Sequence, residues 1–131
     1  MDSNVVLFVS SRLQDAHSLA RMLNEISVAL VHANTLKDAT KKLETGTFQA
    51  VLTEANLEDG SWLDVLSLTR TTGTELVVTH PWADAGFWAE AINMGAYDLL
   101  AQPFRGTEVR RVLAAAASSN QANTKVGAAA S

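Results

Sequence analysis

The stretch Phe48-Gln49-Ala50-Val51-Leu52-Thr53-Glu54-Ala55-Asn56-Leu57-Glu58-Asp59-Gly60-Ser61 passes through a complete change of structural state. Its first five residues are short and mostly apolar, which suits a strand buried on both faces. Polar and acidic residues follow. Gly60 punctuates the turn and Ser61 is placed to cap a helix. Leu63 and Leu66, three apart, then mark one face of that helix.

Working outward, the same unit recurs. Residues 5–9, 28–31, 76–78 and, more weakly, 97–101 also read as strands. Helical stripes lie between them: Ala16, Leu19, Ala20 and Leu23, then Leu36, Ala39 and Leu43. Phe87, Ala91 and Met94 form a later stripe, and Val109, Val112, Leu113 and Ala116 the last. Asn34 or Thr35 is positioned to cap the second helix. Gly46, Gly73, Gly95 and Gly106 separate further segments. The order is (βα)5. It predicts an α/β fold: a doubly wound, five-stranded parallel sheet in a three-layer sandwich, with helices on both faces.

Composition agrees with one globular domain. The chain has 131 residues, 47% hydrophobic and 18% charged. A net charge of −4 argues against direct nucleic-acid binding by a basic surface. The absence of cysteine removes thiol catalysis and thiolate metal sites. No apolar run reaches the roughly 20 residues of a membrane helix, and no basic region precedes Val5 as in a secretion signal. A cytoplasmic location is the expectation. Residues 1–118 are read as the domain. From Ser118 onward SSNQANTKVGAAAS has no apolar period, so residues 119–131 read as a flexible tail or the start of a linker to a missing output domain.

In open parallel sheets, ligands bind beyond the carboxyl ends of the strands. Those positions here are Ser10-Ser11, Glu54-Ala55-Asn56, His80-Pro81 and Gln102-Pro103-Phe104. They carry a resemblance. The segment Val51–Gly60 and the stretch Met94-Gly95-Ala96-Tyr97-Asp98-Leu99-Leu100-Ala101-Gln102-Pro103-Phe104 resemble the phosphoacceptor segment and the G-A-x-D-[YF]-L-x-K-P-F end of response-regulator receiver domains. The similarity covers about residues 4 to 117. It implies the CheY-like, flavodoxin-like fold of two-component, phosphorelay signalling.

The departures from that family are concentrated at the site. Ser10 and Ser11 stand where the resemblance implies two metal-binding acids, with Asn56 beside them. Glu54 takes the phosphoacceptor position. The Thr/Ser switch position falls on His80 without a gap, or on Thr79 with one. Gln102 replaces the lysine, and Leu99 the switch aromatic. Pro103 follows, and the resemblance implies a cis bond before it.

Aspartyl phosphorylation needs a carboxylate, a divalent cation and a positive group near the transferred phosphoryl. Magnesium prefers carboxylate-containing oxygen sites. The substitutions therefore predict a degenerate receiver with no cofactor, weak or absent magnesium binding, and a nearly neutral pocket. Three roles remain open for Glu54: a permanent mimic of the phosphorylated state, a structural residue bonded to Ser11 or Gln102, or an inefficient phosphoacceptor. Glu58 and Asp59 are the other acids near enough in sequence to accept. His80 reads as a loop imidazole. A Ser10, His80, Glu54 triad lacks the G-x-S-x-G elbow, and no phosphate-binding glycine motif is present, so a non-enzymatic role is expected.

Family members often signal through the fourth helix, fifth strand and fifth helix. There this chain carries Trp88, Ile92, Leu99, Arg110 and Arg111. An exposed Trp beside Ile and Arg has the composition of an interface hot spot, and the alternative is a Trp lying flat as surface cover. Trp62 and Trp82 read as loop residues at the pocket end, either lidding it or covering apolar edges. The expected function is a phosphorylation-independent interaction or dimerisation module. The alternatives are a working receiver phosphorylated at Glu54 and small-molecule sensing in the neutralised pocket.

Overall fold

The computed structural model describes residues 4–82 and 84–130, with side chains described up to Ser119. The elements are β1 (Val5–Val9), α1 (Leu13–Asn24), β2 (Ala29–Ala33), α2 (Leu36–Thr45) and β3 (Ala50–Glu54). A small hairpin follows, β4 (Asn56–Leu57) and β5 (Gly60–Ser61). Then come α3 (Trp62–Thr72), β6 (Leu76–His80), α4 (Ala85–Met94), β7 (Asp98–Ala101) and α5 (Gly106–Ala130). The main sheet has the order β2-β1-β3-β6-β7, and every pairing in it is parallel.

Strand alternation sorts the core into two layers. Leu7, Val9, Val51 and Val78 point to one face, where α2, α3 and α4 cover them with Ala39, Leu43, Val65, Leu66 and Ala91. Val6, Phe8, Leu52, Val77 and Leu100 point to the other, under Leu19 and Leu23 of α1 and Val109, Val112 and Leu113 of α5. Each fully buried Val, Leu or Phe contributes about 1.5–3 kcal/mol. The doubly wound sandwich read from the sequence is therefore the observed fold.

Helix ends follow local chemistry. The Thr35 side chain accepts from the Asp38 amide, so Thr35 rather than Asn34 caps α2. Ser61 and Asp64 form a reciprocal capping box on α3. Asp84, unnoticed in the sequence, caps α4 by accepting from the Phe87 amide at 2.8 Å.

Several expectations are corrected. β3 lies two residues later than the apolar run, because Thr53 and Glu54 pair with Val78 and Thr79 while Phe48 packs from the preceding loop. β2 likewise begins after Val28, whose apolar side chain is buried without joining the sheet. Leu63 is 40% exposed, and α3 instead buries Trp62, Val65, Leu66 and Thr69. Trp62 is thus a core residue at the start of a helix, not a loop lid. Met94 is 41% exposed and Ala91 is the one α4 residue that is fully buried. A two-residue stripe on a short helix leaves the inward face ambiguous, and packing against β3 and β6 decides it. The α5 backbone runs on through Ser118 to Ala130 over the segment read as a tail. Alanine there favours helix intrinsically. The side chains of residues 120–130 lie outside the described residues.

Gly95 ends α4 with φ +121°, and a Cβ there would sit 2.8 Å from an Arg70 guanidinium nitrogen. That guanidinium donates to the Met94 carbonyl at 2.6 Å. Gly95→Ala should cost about 1–3 kcal/mol through backbone strain and displacement of Arg70. Urea unfolding midpoints of the two proteins check this. An unchanged midpoint would show that the turn relaxes freely.

Candidate functional site

Parallel pairing ends β1, β3 and β6 side by side. It brings Ser10, Glu54, Thr79 and His80 to one edge of the sheet. A cavity of about 270 Å³ opens there, with Glu54, Asn56 and Thr79 on its floor and Arg12, Trp82 and Gln102 around it. A larger, open groove of about 730 Å³ lies between α1 and α5. It is lined by Arg21, Met22 and Arg110 and contains no strand-end residue.

Glu54 is tied to the β1–α1 loop. Its Oε1 accepts from the Ser10 hydroxyl and from the Ser11 amide, the latter at 3.1 Å. Ser10 Oγ in turn accepts from the Arg12 amide at 2.9 Å. The Ser10 carbonyl accepts from His32 Nε2 of β2 at 2.7 Å. Ser10 is fully buried and is held from three sides. Of the partners anticipated for Glu54, Ser11 is present through its backbone and Gln102 is not. Gln102 Nε2 donates to Asp15 Oδ2 of α1 at 3.0 Å. Asp15 had no sequence signal, since a lone acid in a first helical turn is commonly a dipole partner.

The switch-position ambiguity has a geometric counterpart. Thr79 pairs with Glu54 across the sheet, is fully buried, and its Oγ1 has no hydrogen-bond partner among the described residues. His80 is the last strand residue rather than a loop residue. Its Nδ1 accepts from the Trp82 amide at 2.9 Å, and its ring lies 5.0 Å from that of Phe87. Both residues line the cavity. Arg12, overlooked in the sequence, also lines the cavity, so a cationic residue stands there with the Glu54 carboxylate. The peptide bond Gln102–Pro103 is cis.

The candidate partner face is only partly assembled. Trp88 is 48% exposed, and its Nε1 donates to Asp98 Oδ1 of β7 at 3.2 Å. Ile92 and Leu99 are half-buried and Arg111 is exposed. Arg110 reaches the other way, to Glu25 Oε2 at 2.9 Å. Trp82 is 81% exposed at the cavity rim. No described helix is long and apolar enough to cross a membrane.

Asp59 is occupied elsewhere. Its two oxygens accept from the Leu36 and Lys37 amides at 2.8 and 3.0 Å, tying the β4–β5 hairpin to the start of α2. The Leu36 bond chiefly, with Lys37 adding to it against a smaller desolvation effect, holds the Asp59 carboxyl below its ordinary 3.8. A carboxyl lowered on folding stabilises fully above its unfolded pKa and loses that contribution as pH falls through its folded pKa. The stability advantage of the native chain over Asp59→Asn should therefore hold at neutral pH and shrink below pH 3.8. Urea midpoints of both proteins at neutral and acid pH test this, and a pH-independent difference would exclude the linkage.

No protein-family model matches the chain. The swarming motility regulation protein RssB of Serratia marcescens is 30% identical over 101 residues, covering 76% of this chain and 46% of that protein. The chain thus spans about half the length of this curated relative. Among solved structures, the beryllofluoride-activated NtrC4 receiver domain dimer superposes with a TM-score of 0.81 at 22% identity, over 89% of this chain and 98% of that one. The signal receiver domain of a LuxO repressor protein from Vibrio parahaemolyticus gives 0.83 at 20% identity, over 93% and 95%. With this strand order and these likenesses, the chain has the CheY-like, flavodoxin-like fold of these receiver domains.

Proposed function

We propose that this domain is a degenerate receiver that signals by protein contact, without aspartyl phosphorylation. The observation that carries this reading is the clasp on Glu54. The residue at the acceptor position spends one oxygen on Ser10 and Ser11, the very loop that would have to supply metal-binding acids. The donor set does not fit magnesium. Two serines, one of them fully buried with its hydroxyl turned onto Glu54, replace carboxylates that such a hard cation prefers. Gln102 carries no charge to balance a phosphoryl group, and it is held by Asp15. The clasp favours the structural role for Glu54 over the mimic. A non-enzymatic, cytoplasmic role follows from the same reading.

The partner surface we propose is that of α4, β7 and α5. Trp88 is half-exposed and is oriented by Asp98 of β7, with Ile92 one turn further along α4 and with Leu99 on β7 and Arg111 on α5. A rigid, half-exposed Trp among apolar and cationic neighbours is the usual composition of a hot spot. A second copy of the domain or a partner protein would dock there. The NtrC4 receiver is described as a dimer, which lends weight to self-association. An output domain in the whole protein belongs to the same proposal, since the matched segment is only 46% of the curated relative.

Amide NMR titration with magnesium and then beryllium fluoride tests the phosphotransfer half. Ser11, Glu54 and Gln102 should not shift. Saturable shifts there, spreading to Leu99 and α4, would establish a working switch at Glu54 and overturn the proposal. Trp88→Ala tests the surface. It should weaken self-association or partner capture by about 2 kcal/mol while leaving the fold intact. Unchanged sedimentation and unchanged capture would count against this face.

A further inference from the structure

We propose that the cavity at the strand ends is a binding site for a small zwitterion of the free amino-acid class. Its 270 Å³ correspond to about nine water volumes at ~30 Å³ each, hence to a ligand of about nine non-hydrogen atoms. Opposite charges line it without meeting. Arg12 and Glu54 both face the cavity. The ion pairs among the described residues are Lys42 with Asp38 and Arg110 with Glu25, and neither involves Arg12 or Glu54.

A ligand with one charge would satisfy one wall and face repulsion or no partner at the other. An α-amino acid carries both charges two bonds apart. Its carboxylate suits the planar Arg12 fork, and its ammonium suits Glu54. The described bonds to Glu54 all fall on Oε1, which leaves Oε2 for the ligand.

Two further features point the same way. Thr79 Oγ1 is completely buried at the cavity and lacks a partner among the described residues, and leaving a polar atom unpaired is costly unless something else engages it. Trp82 stands 81% exposed at the rim, with its amide fixed by His80. Its ring offers an apolar cover for an aliphatic or aromatic side chain. Inorganic phosphate fits less well, because Glu54 opposes a second anion in the same space.

The full chain, titrated with each of the twenty standard amino acids at millimolar concentration and followed by amide and indole NMR, tests this. At least one apolar amino acid should give saturable shifts at Arg12, Glu54 and the Trp82 indole. Its deaminated and decarboxylated analogues should each bind at least tenfold more weakly. Arg12→Gln and Glu54→Gln should each lower affinity at least tenfold, with the rest of the amide spectrum retained. Trp82→Ala, at an exposed position, should also weaken binding without unfolding the domain. The proposal is overturned if none of the twenty binds at these residues. It is equally overturned if the deaminated acid or inorganic phosphate binds as well as the amino acid, which would make the cavity a plain anion site. Retained affinity in both charge variants would have the same consequence.

Discussion

The parallel pairing of β3 between β1 and β6 is the constraint on which everything else depends. Ala50, Val51, Leu52 and Thr53 are all fully buried, so both faces of this strand must be covered by helices. A strand shifted by one residue would turn Val51 and Leu52 toward the wrong layers, and the register is therefore fixed by burial. The same register stops β1 at Val9, β3 at Glu54 and β6 at His80, and so sets which side chains share the cavity. The functional end of the molecule is a by-product of core packing.

At that end, hydrogen bonds tie the loops to one another. Ser10 links three strands: its hydroxyl goes to Glu54 of β3, and its carbonyl takes His32 of β2. Gln102 links β7's exit to α1 through Asp15. Neutral donors facing carboxylates hold loops together without an ion and without the desolvation cost of a buried charge pair. Thr79 is the exception. Its hydroxyl is buried beside this network and, among the described residues, takes no part in it.

Much of this was legible from residues in order. The five strands, five helices and their alternation follow from apolar runs and helical stripes, and Ser61 and Thr35 announced their helices by side-chain type. The α5 stripe named four buried residues and the α1 stripe three, with Ala20 only half-buried, because each helix gathers its apolar positions on one face. Leu63 was misplaced because two apolar residues three apart do not single out one face of α3, and Met94 because α4 carries so few polar residues that pattern alone cannot choose its face. Arg12 and Asp15 escaped notice because a charged residue in a first helical turn looks like ordinary surface until the loop's path is known.

The sequence by itself determined the fold class, the strand ends as the place to look, and the substitution of serines, a glutamate and a glutamine at the positions that matter. These are properties of residue type and spacing, which local backbone preference and burial translate directly into elements. Tertiary structure alone decided that Glu54 bonds Ser10 and Ser11 rather than Gln102, that Gln102 meets Asp15, and that Arg110 turns to Glu25. Each joins elements far apart along the chain. Which partner a polar side chain finds depends on distances of a few ångströms that only the packed sheet and its helices set.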